Sequence, residues 1–243
     1  MKSVNKIINL IILALAVCIL VFFLAQKNPK KFDGERVKIV DFVDKNYFLR
    51  GSNPFIEKLG EKNFSYHDLK KILKKTIEDQ NKNVINDFYL VDINLLNLDS
   101  YFQILDEELF FKKNPQLGEF QNFSEISPRL LLMGYSSNQV IFNITKKYHQ
   151  DLDKFIDKIH FHLHQKLDKP VVIYAHCNAG RDRTGLISAG YRMKYHDLNL
   201  KSAIGQNIAD AGRSSESFLS DAIKGYCFYL QANFNKPQNF CEN

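Results

Sequence analysis

The stretch His176-Cys177-Asn178-Ala179-Gly180-Arg181-Asp182-Arg183-Thr184-Gly185 gathers the residue types of nucleophilic chemistry into one short loop. It follows Val171-Val172-Ile173-Tyr174-Ala175, which predicts a buried strand, and it leads into Thr184 to Tyr195, which predicts a helix. A loop between a buried strand and a helix N-terminus collects backbone N–H groups and the positive end of the helix dipole, so it suits an anion. Gly180 permits a tight turn and Gly185 lets the helix approach the sheet. A cysteine at the start of such a loop feels those amides, the dipole and Arg183, all of which favour thiolate over thiol, and Cys177 is a candidate nucleophile. Arg183 returns around the loop to the same point with a planar fork that matches two oxygens of a phosphate. The expected reaction is displacement at phosphorus.

With its His-Cys-x5-Arg-Thr spacing this loop resembles the cysteine-dependent phosphatases: protein tyrosine and dual-specificity phosphatases and their phosphoinositide-cleaving relatives. The variant Cys-x-Ala-Gly-x-Asp-Arg-Thr-Gly is similar to bacterial atypical tyrosine and lipid phosphatases, with Arg181 where those often carry lysine. The resemblance is firm over 170–196 and extends loosely, through the order of strands and helices, over 37–232. Arg50-Gly51-Ser52-Asn53-Pro54 is similar to a turn near the start of many bacterial members. The resemblance implies that Cys177 attacks phosphorus to give a cysteinyl-phosphate and that Arg183 holds the phosphoryl oxygens. It implies further that Thr184 assists departure of the thiolate and that His176 orients the loop from behind. Asn178, Ala179, Gly180 and Arg181 would bind the phosphate through their backbone, with no metal or cofactor required. A rhodanese-type sulfurtransferase shares an anion-binding cysteine loop, but the preceding His and the following Arg-Thr-Gly favour the phosphatase.

The leaving oxygen needs a proton, usually from an Asp on a loop 30 to 40 residues before the cysteine in the family that this chain resembles, yet no Asp or Glu occurs from Ile126 to Gln150. Aligning Phe142-Asn143-Ile144 with the strand that enters that loop puts Thr145, Lys146 or Lys147 where the acid belongs. Asp182, beside Arg183, is one substitute, because a neighbouring phosphate dianion raises a carboxylate's proton affinity; Asp151, read as a helix start, is the other. Without an acid the same loop would serve as a phospho-ligand binding module, which is the alternative reading. His160, His162 and His164 are read as surface or helix-end residues rather than metal ligands, and Asp153 as a helix-surface residue.

Elements that position the loop follow from hydrophobic patterning. Val37–Val43, Tyr47–Leu49, Phe88–Ile93, Leu130–Met133, Val140–Ile144 and 171–175 predict strands. Helices are predicted from Ser65 or Tyr66, with a Ser65/Asp68 capping box, over Leu152–Leu163, and over 184–195, 200–211 and 217–231. The stretch 94–127 reads as irregular, with Tyr101, Phe102, Phe110, Phe111 and Phe120 expected in the core. The expected fold class is α/β, a central mostly parallel sheet flanked by helices, tyrosine-phosphatase-like and preceded by a single N-terminal transmembrane helix.

That helix is read from Ile7 to Ala25, which is uncharged with Asn9 as its one polar residue and measures about 28 Å at ~1.5 Å per residue. The expected organisation is an anchor or signal peptide at 1–25, a linker at 26–36 and a catalytic domain at 37–243. Lys27, Lys30, Lys31, Arg36 and Lys38 follow the apolar run, so the lysine and arginine bias keeps the domain cytoplasmic; cleavage would make it secreted or periplasmic. The 243 residues, 45% hydrophobic and 25% charged, exclude a disordered chain, and four cysteines without a C-x-x-C pair exclude a disulfide scaffold and allow at most one bridge. A formal charge of +6 suits anionic partners, here a phosphorylated protein or phosphoinositide substrate and the membrane through residues 7–25; no nucleic-acid partner is implied.

Overall fold

Strand β7 (Val171–Cys177) is buried throughout, and its side chains alternate between two cores. Val171, Ile173, Ala175 and Cys177 join one, Val172 and Tyr174 the other. The computed structural model describes residues 32–58, 61–123, 139–212 and 217–242. In it β7 is the middle of a five-stranded sheet in the order β1 (Lys38–Val43), β2 (Asn46–Ser52), β7, β5 (Tyr89–Asn94), β6 (Gly118–Asn122). β1 pairs antiparallel with β2, and every other pair is parallel. Central parallel strands need cover on both faces, which is why β7 reads as an unbroken apolar run. β3 (Phe55–Lys58) and β4 (Glu61–Phe64) form a separate hairpin.

Helices α1 (Tyr66–Asn81) and α2 (Tyr101–Lys113) supply Leu69, Leu73, Ile77 and Phe111 to the core on one face. On the other, α3 (Gln139–Leu163), α4 (Asp182–Tyr195), α5 (Leu200–Ala211) and α6 (Ser217–Asn233) supply Leu152, Ile156, Leu186, Ala203 and Tyr226. Ser65 caps α1 as expected, its Oγ accepting from Asp68 N at 3.4 Å, but the reciprocal half of a capping box is absent: Asp68 Oδ2 accepts from Ser65 Oγ at 2.7 Å, while Ser65 N donates to Pro54 O. The α/β class, the mostly parallel sheet and its flanking helices match expectation.

Four local expectations are corrected. Val140–Ile144 is helical, the first turns of α3; Ile141, Ile144, Tyr148 and Leu152 keep a helical spacing that a short apolar window cannot distinguish from a strand. The stretch 94–127 is not irregular: it holds α2 and β6, obscured because α2 buries the charged Glu107 and β6 has Phe120 as its one large apolar residue. Tyr101 and Phe102 are exposed, while Phe111 is core. Arg50-Gly51-Ser52, similar in sequence to a turn, completes β2.

The segment read as membrane anchor, 7–25, lies outside the described residues, as do 26–31 and Leu130–Met133. Among the described residues no helix is long and apolar enough to cross a membrane. Residues 32–36, expected to belong to a linker, are packed on the domain: Phe32 is buried edge-on to Tyr174 and Asp33 caps the 3-10 turn Gly34–Arg36. At the other end, Cys227 of α6 and Cys241 form a disulfide with a sequence separation of 14. Closing a loop of that size contributes about 3 kcal/mol through the unfolded chain. Reduction should therefore lower the urea midpoint and steepen the slope, because the reduced unfolded chain is less compact, and a Cys177→Ser background keeps the third described thiol out of the measurement.

Candidate active site

The site loop is set by where its carbonyls go. In a trans peptide the C=O and the following N–H point in opposite directions, so tying carbonyls outward turns amides inward. Asn178 O accepts from Asn53 N at 3.3 Å and Arg181 O from Gly185 N at 2.9 Å. Ala179 O accepts from Arg36 Nη1 at 3.0 Å and Gly180 O from Arg50 Nη2 at 2.6 Å. Three consecutive carbonyls are thus held from outside the loop and the fourth by the first turn of α4, and the N–H groups of Ala179, Gly180, Arg181 and Asp182 point away from those partners, an arrangement suited to an anion. Gly180 makes the turn at φ +63°, and a Cβ there would lie 2.4 Å from the Gly51 carbonyl.

Cys177, expected as nucleophile, ends β7 opposite Ser52 and is buried with a free thiol. Arg183 donates from Nη1 to Leu95 O at 2.6 Å, which fixes its guanidinium beside the end of β5. Thr184 Oγ1 and Arg181 Nε are buried without a hydrogen-bond partner in the protein. Asn178 is exposed, Ala179 and Arg181 half-buried and Gly180 buried. Asp182 opens α4, half-buried, beside Arg183. The other acid candidate departs from expectation: Asp151 lies well inside α3, 3.8 Å from Lys154, rather than at a helix start. Asp153, expected on the surface, is buried and bonded to Lys194 and Tyr226, each at 2.7 Å. Since 142–144 is helical, it cannot be the strand entering an acid loop; the strand beside β5 is β6, followed in sequence by Phe123, Ser124 and Glu125, the last two outside the described residues.

Arg50 is the site residue that sequence reading missed. It is fully buried, and besides Gly180 O it donates to Ser188 Oγ at 2.8 Å and to Asn207 Oδ1. Asp210 lies 3.7 Å away and also binds Arg192 at 2.8 Å. Burial lowers Arg50 to about 10, against the pull of Asp210. An arginine directly after the apolar run Tyr47–Leu49 was the available signal. Gly185 earns its place here too, because a Cβ would lie 2.4 Å from Asn207 Nδ2.

His176 points to the opposite face of the sheet from Cys177. Its Nε2 lies 3.2 Å from Asp92 Oδ1 and 3.3 Å from Glu107 Oε2, and all three residues are fully buried. Asn94 Nδ2 donates to Glu107 Oε2 at 2.5 Å, and Tyr174 stacks on the imidazole. These are the one group of three potential metal ligands among the described residues. His160, His162 and His164 instead bond Tyr191, Gln121 and a backbone carbonyl separately. Burial alone would lower His176, but Glu107 and Asp92 outweigh it and hold it up to about 10. Burial, opposed by His176, raises Glu107 to about 7.

Both groups bind protons more tightly folded than unfolded, so their contributions to stability are complete below the ordinary values and vanish as pH rises through the folded ones. Unfolding free energy should fall between pH 4.5 and about 7 through Glu107 and between 6.5 and about 10 through His176. Denaturation across that range should show both declines, and Glu107→Gln should remove the lower one. Gly180→Ala should cost about 2 kcal/mol or more, as strain at positive φ plus the clash with β2, read by the same denaturation at neutral pH.

No protein-family model and no curated protein matches the chain. Among solved structures it is similar to PTPMT1 in complex with PI(5)P, with 16% identity and TM-score 0.47 over 80% of this chain and 97% of that one. It is similar to a leucine rich repeat and phosphatase domain containing protein from Entamoeba histolytica, with 12% identity and TM-score 0.42 over 80% of this chain and 94% of that one. The core catalytic domain of the PP-IP phosphatase SIW14 from S. cerevisiae follows, with 14% identity and TM-score 0.39 over 87% of this chain and 98% of that one.

Proposed function

We propose that the chain is a membrane-tethered, cysteine-dependent phosphoric monoester hydrolase acting on phosphotyrosine-type or phosphoinositide substrates. The observation that carries this reading is the loop after β7, whose carbonyls at 178–180 are held outward around a buried free Cys177. Inward amides stabilise the charge on equatorial phosphoryl oxygens most as the transition state forms. The Cys177 thiolate attacks phosphorus; the S–P bond forms as the P–O bond to the leaving group breaks, and the leaving oxygen takes a proton from Asp182. Water then attacks phosphorus, giving a proton to the Asp182 carboxylate as the S–P bond breaks, with the buried Thr184 hydroxyl donating to the departing thiolate. Arg183 bridges two phosphoryl oxygens throughout.

The tether is residues 7–25. The Cys227–Cys241 disulfide supports placing the domain on the oxidising side of that membrane, the reverse of the orientation drawn from lysine and arginine bias.

Phosphate release by the full chain from an aryl phosphate, a phosphotyrosine peptide and a phosphoinositide tests the reading. Cys177→Ser should abolish turnover and Arg183→Lys should reduce it by about 10²-fold or more. Asp182→Asn should slow substrates with poor leaving groups while sparing activated aryl esters; an effect of Glu125→Gln in its place would move the acid to the chain after β6. Phospho-ligand binding by wild type and Cys177→Ser alike, without release, would make the chain a binding module.

A further inference from the structure

One rim of the site is apolar and uncovered. Leu98 and Phe102, 77% and 84% exposed, are the two most exposed large hydrophobic side chains among the described residues, and Tyr101 packs edge-on to Phe102 at 53% exposure. Exposed aromatic and aliphatic residues clustered in this way are costly to leave in water and mark a surface that meets another apolar phase. Their position is fixed by the loop itself. Leu95 N donates to His176 O at 2.9 Å and Leu95 O accepts from Arg183, so the 3-10 turn Leu98–Ser100 starts three residues from a group that touches the site arginine. On the far side, Gln103 Oε1 accepts from Asn53 Nδ2 at 2.5 Å, and Asn53 N donates to Asn178 O.

The N-terminal end of the described chain reaches the same loop. Arg36 binds Ala179 O, and Asp33 O accepts from Ser52 Oγ at 3.1 Å, where Ser52 is the strand partner of Cys177. Between Phe32 and the apolar run ending at Ala25 lie only residues 26–31, which span at most about 25 Å when fully extended. Three of them, Lys27, Lys30 and Lys31, are basic and suit the phosphates of lipid headgroups on the face that the domain occupies, whereas Asp99 is the one acid between Leu95 and Gln103. A tether that short, entering beside the loop, brings the loop and its apolar rim near the bilayer.

We propose that Leu98, Tyr101 and Phe102 dock into the lipid surface to which the N-terminus tethers the chain, and that the site draws its phosphate monoester from a lipid headgroup of that bilayer. This deepens the phosphatase reading and rests on it for the reaction, but the docking itself does not. Aromatic side chains insert at the level of the headgroups, and the apolar flank shields the loop from water while the phosphate meets the inward amides.

The experiment reconstitutes the full chain in phosphatidylcholine vesicles containing a phosphatidylinositol phosphate and compares it with Leu98→Gln/Phe102→Gln. Both positions are exposed and outside the catalytic machinery. The double variant should lose about tenfold or more of its turnover of vesicle lipid and keep its turnover of a water-soluble aryl phosphate. Equal rates on vesicles, a parallel loss on both substrates, or a phosphotyrosine peptide cleaved faster than vesicle lipid would each overturn the proposal. If wild type releases phosphate from nothing, the phosphatase reading fails, and docking is read separately. The chain has no tryptophan, so Phe102→Trp in a Cys177→Ser background is a single reporter. Blue-shifted emission quenched by brominated lipid supports docking, and the emission of a water-exposed tryptophan overturns it.

Discussion

A single buried guanidinium joins the parts from which the site is assembled. Arg50 sits in β2 with no exposure, and its donors reach the loop at Gly180 O, α4 at Ser188 Oγ and α5 at Asn207. Moving such a charge out of water costs several kcal/mol, and the arrangement is tolerable only because Asp210 and three hydrogen-bond acceptors meet it together. The planar fork of arginine can satisfy acceptors on separate elements at fixed angles, which a lysine ammonium cannot. Each acceptor therefore depends on the others being in place: the loop takes its shape when β2, α4 and α5 are packed, and the site and the fold form as one unit.

The two residues at the end of β7 divide the electrostatic work between the faces of the sheet. Strand alternation sends Cys177 toward the helical core that contains α4 and sends His176 toward α2. On the second face, Asp92 and Glu107 supply two carboxylates to one imidazole, and the rise of both His176 and Glu107 describes a cluster that holds its protons. An imidazole contacted by two buried carboxylates cannot rotate freely, and the backbone carbonyl of His176, bonded to Leu95 N, lies in register with β5. The loop is thereby anchored at its root from one face by His176 and along its length from the other side by Arg50, Arg36 and Asn53.

How much of this could be read from sequence depends on how far apart the cooperating residues are. Cys177 to Gly185 are consecutive, and the strand before them and the helix after them carry strong apolar patterns, so their placement was legible. Arg50 and Gly180 are separated by 130 positions, and nothing in local composition says that one will bind the other. The same applies to Glu107: a carboxylate on the inner face of α2 makes sense only beside His176, and its charge broke the amphipathic pattern that would have revealed the helix. Val140–Ile144 failed for the opposite reason, since branched apolar residues satisfy both periods over five positions and only the continuation to Leu163 decides between them.

The N-terminal segment shows why a linker cannot be recognised by polarity alone. Asp33, Gly34, Glu35 and Arg36 have the composition of a solvated spacer, yet each end of that stretch is committed: Phe32 is buried against Tyr174 and Arg36 closes on Ala179 O. Asp33 caps a 3-10 turn over Gly34–Arg36, and the turn brings the Arg36 side chain to the Ala179 carbonyl. A residue outside the expected domain boundary thus sets the direction of one of the inward amides. The N-terminal turn thus meets the loop at two points, Arg36 on Ala179 O and Asp33 O on Ser52, the strand partner of Cys177, so the position of this turn and the shape of the loop are physically linked.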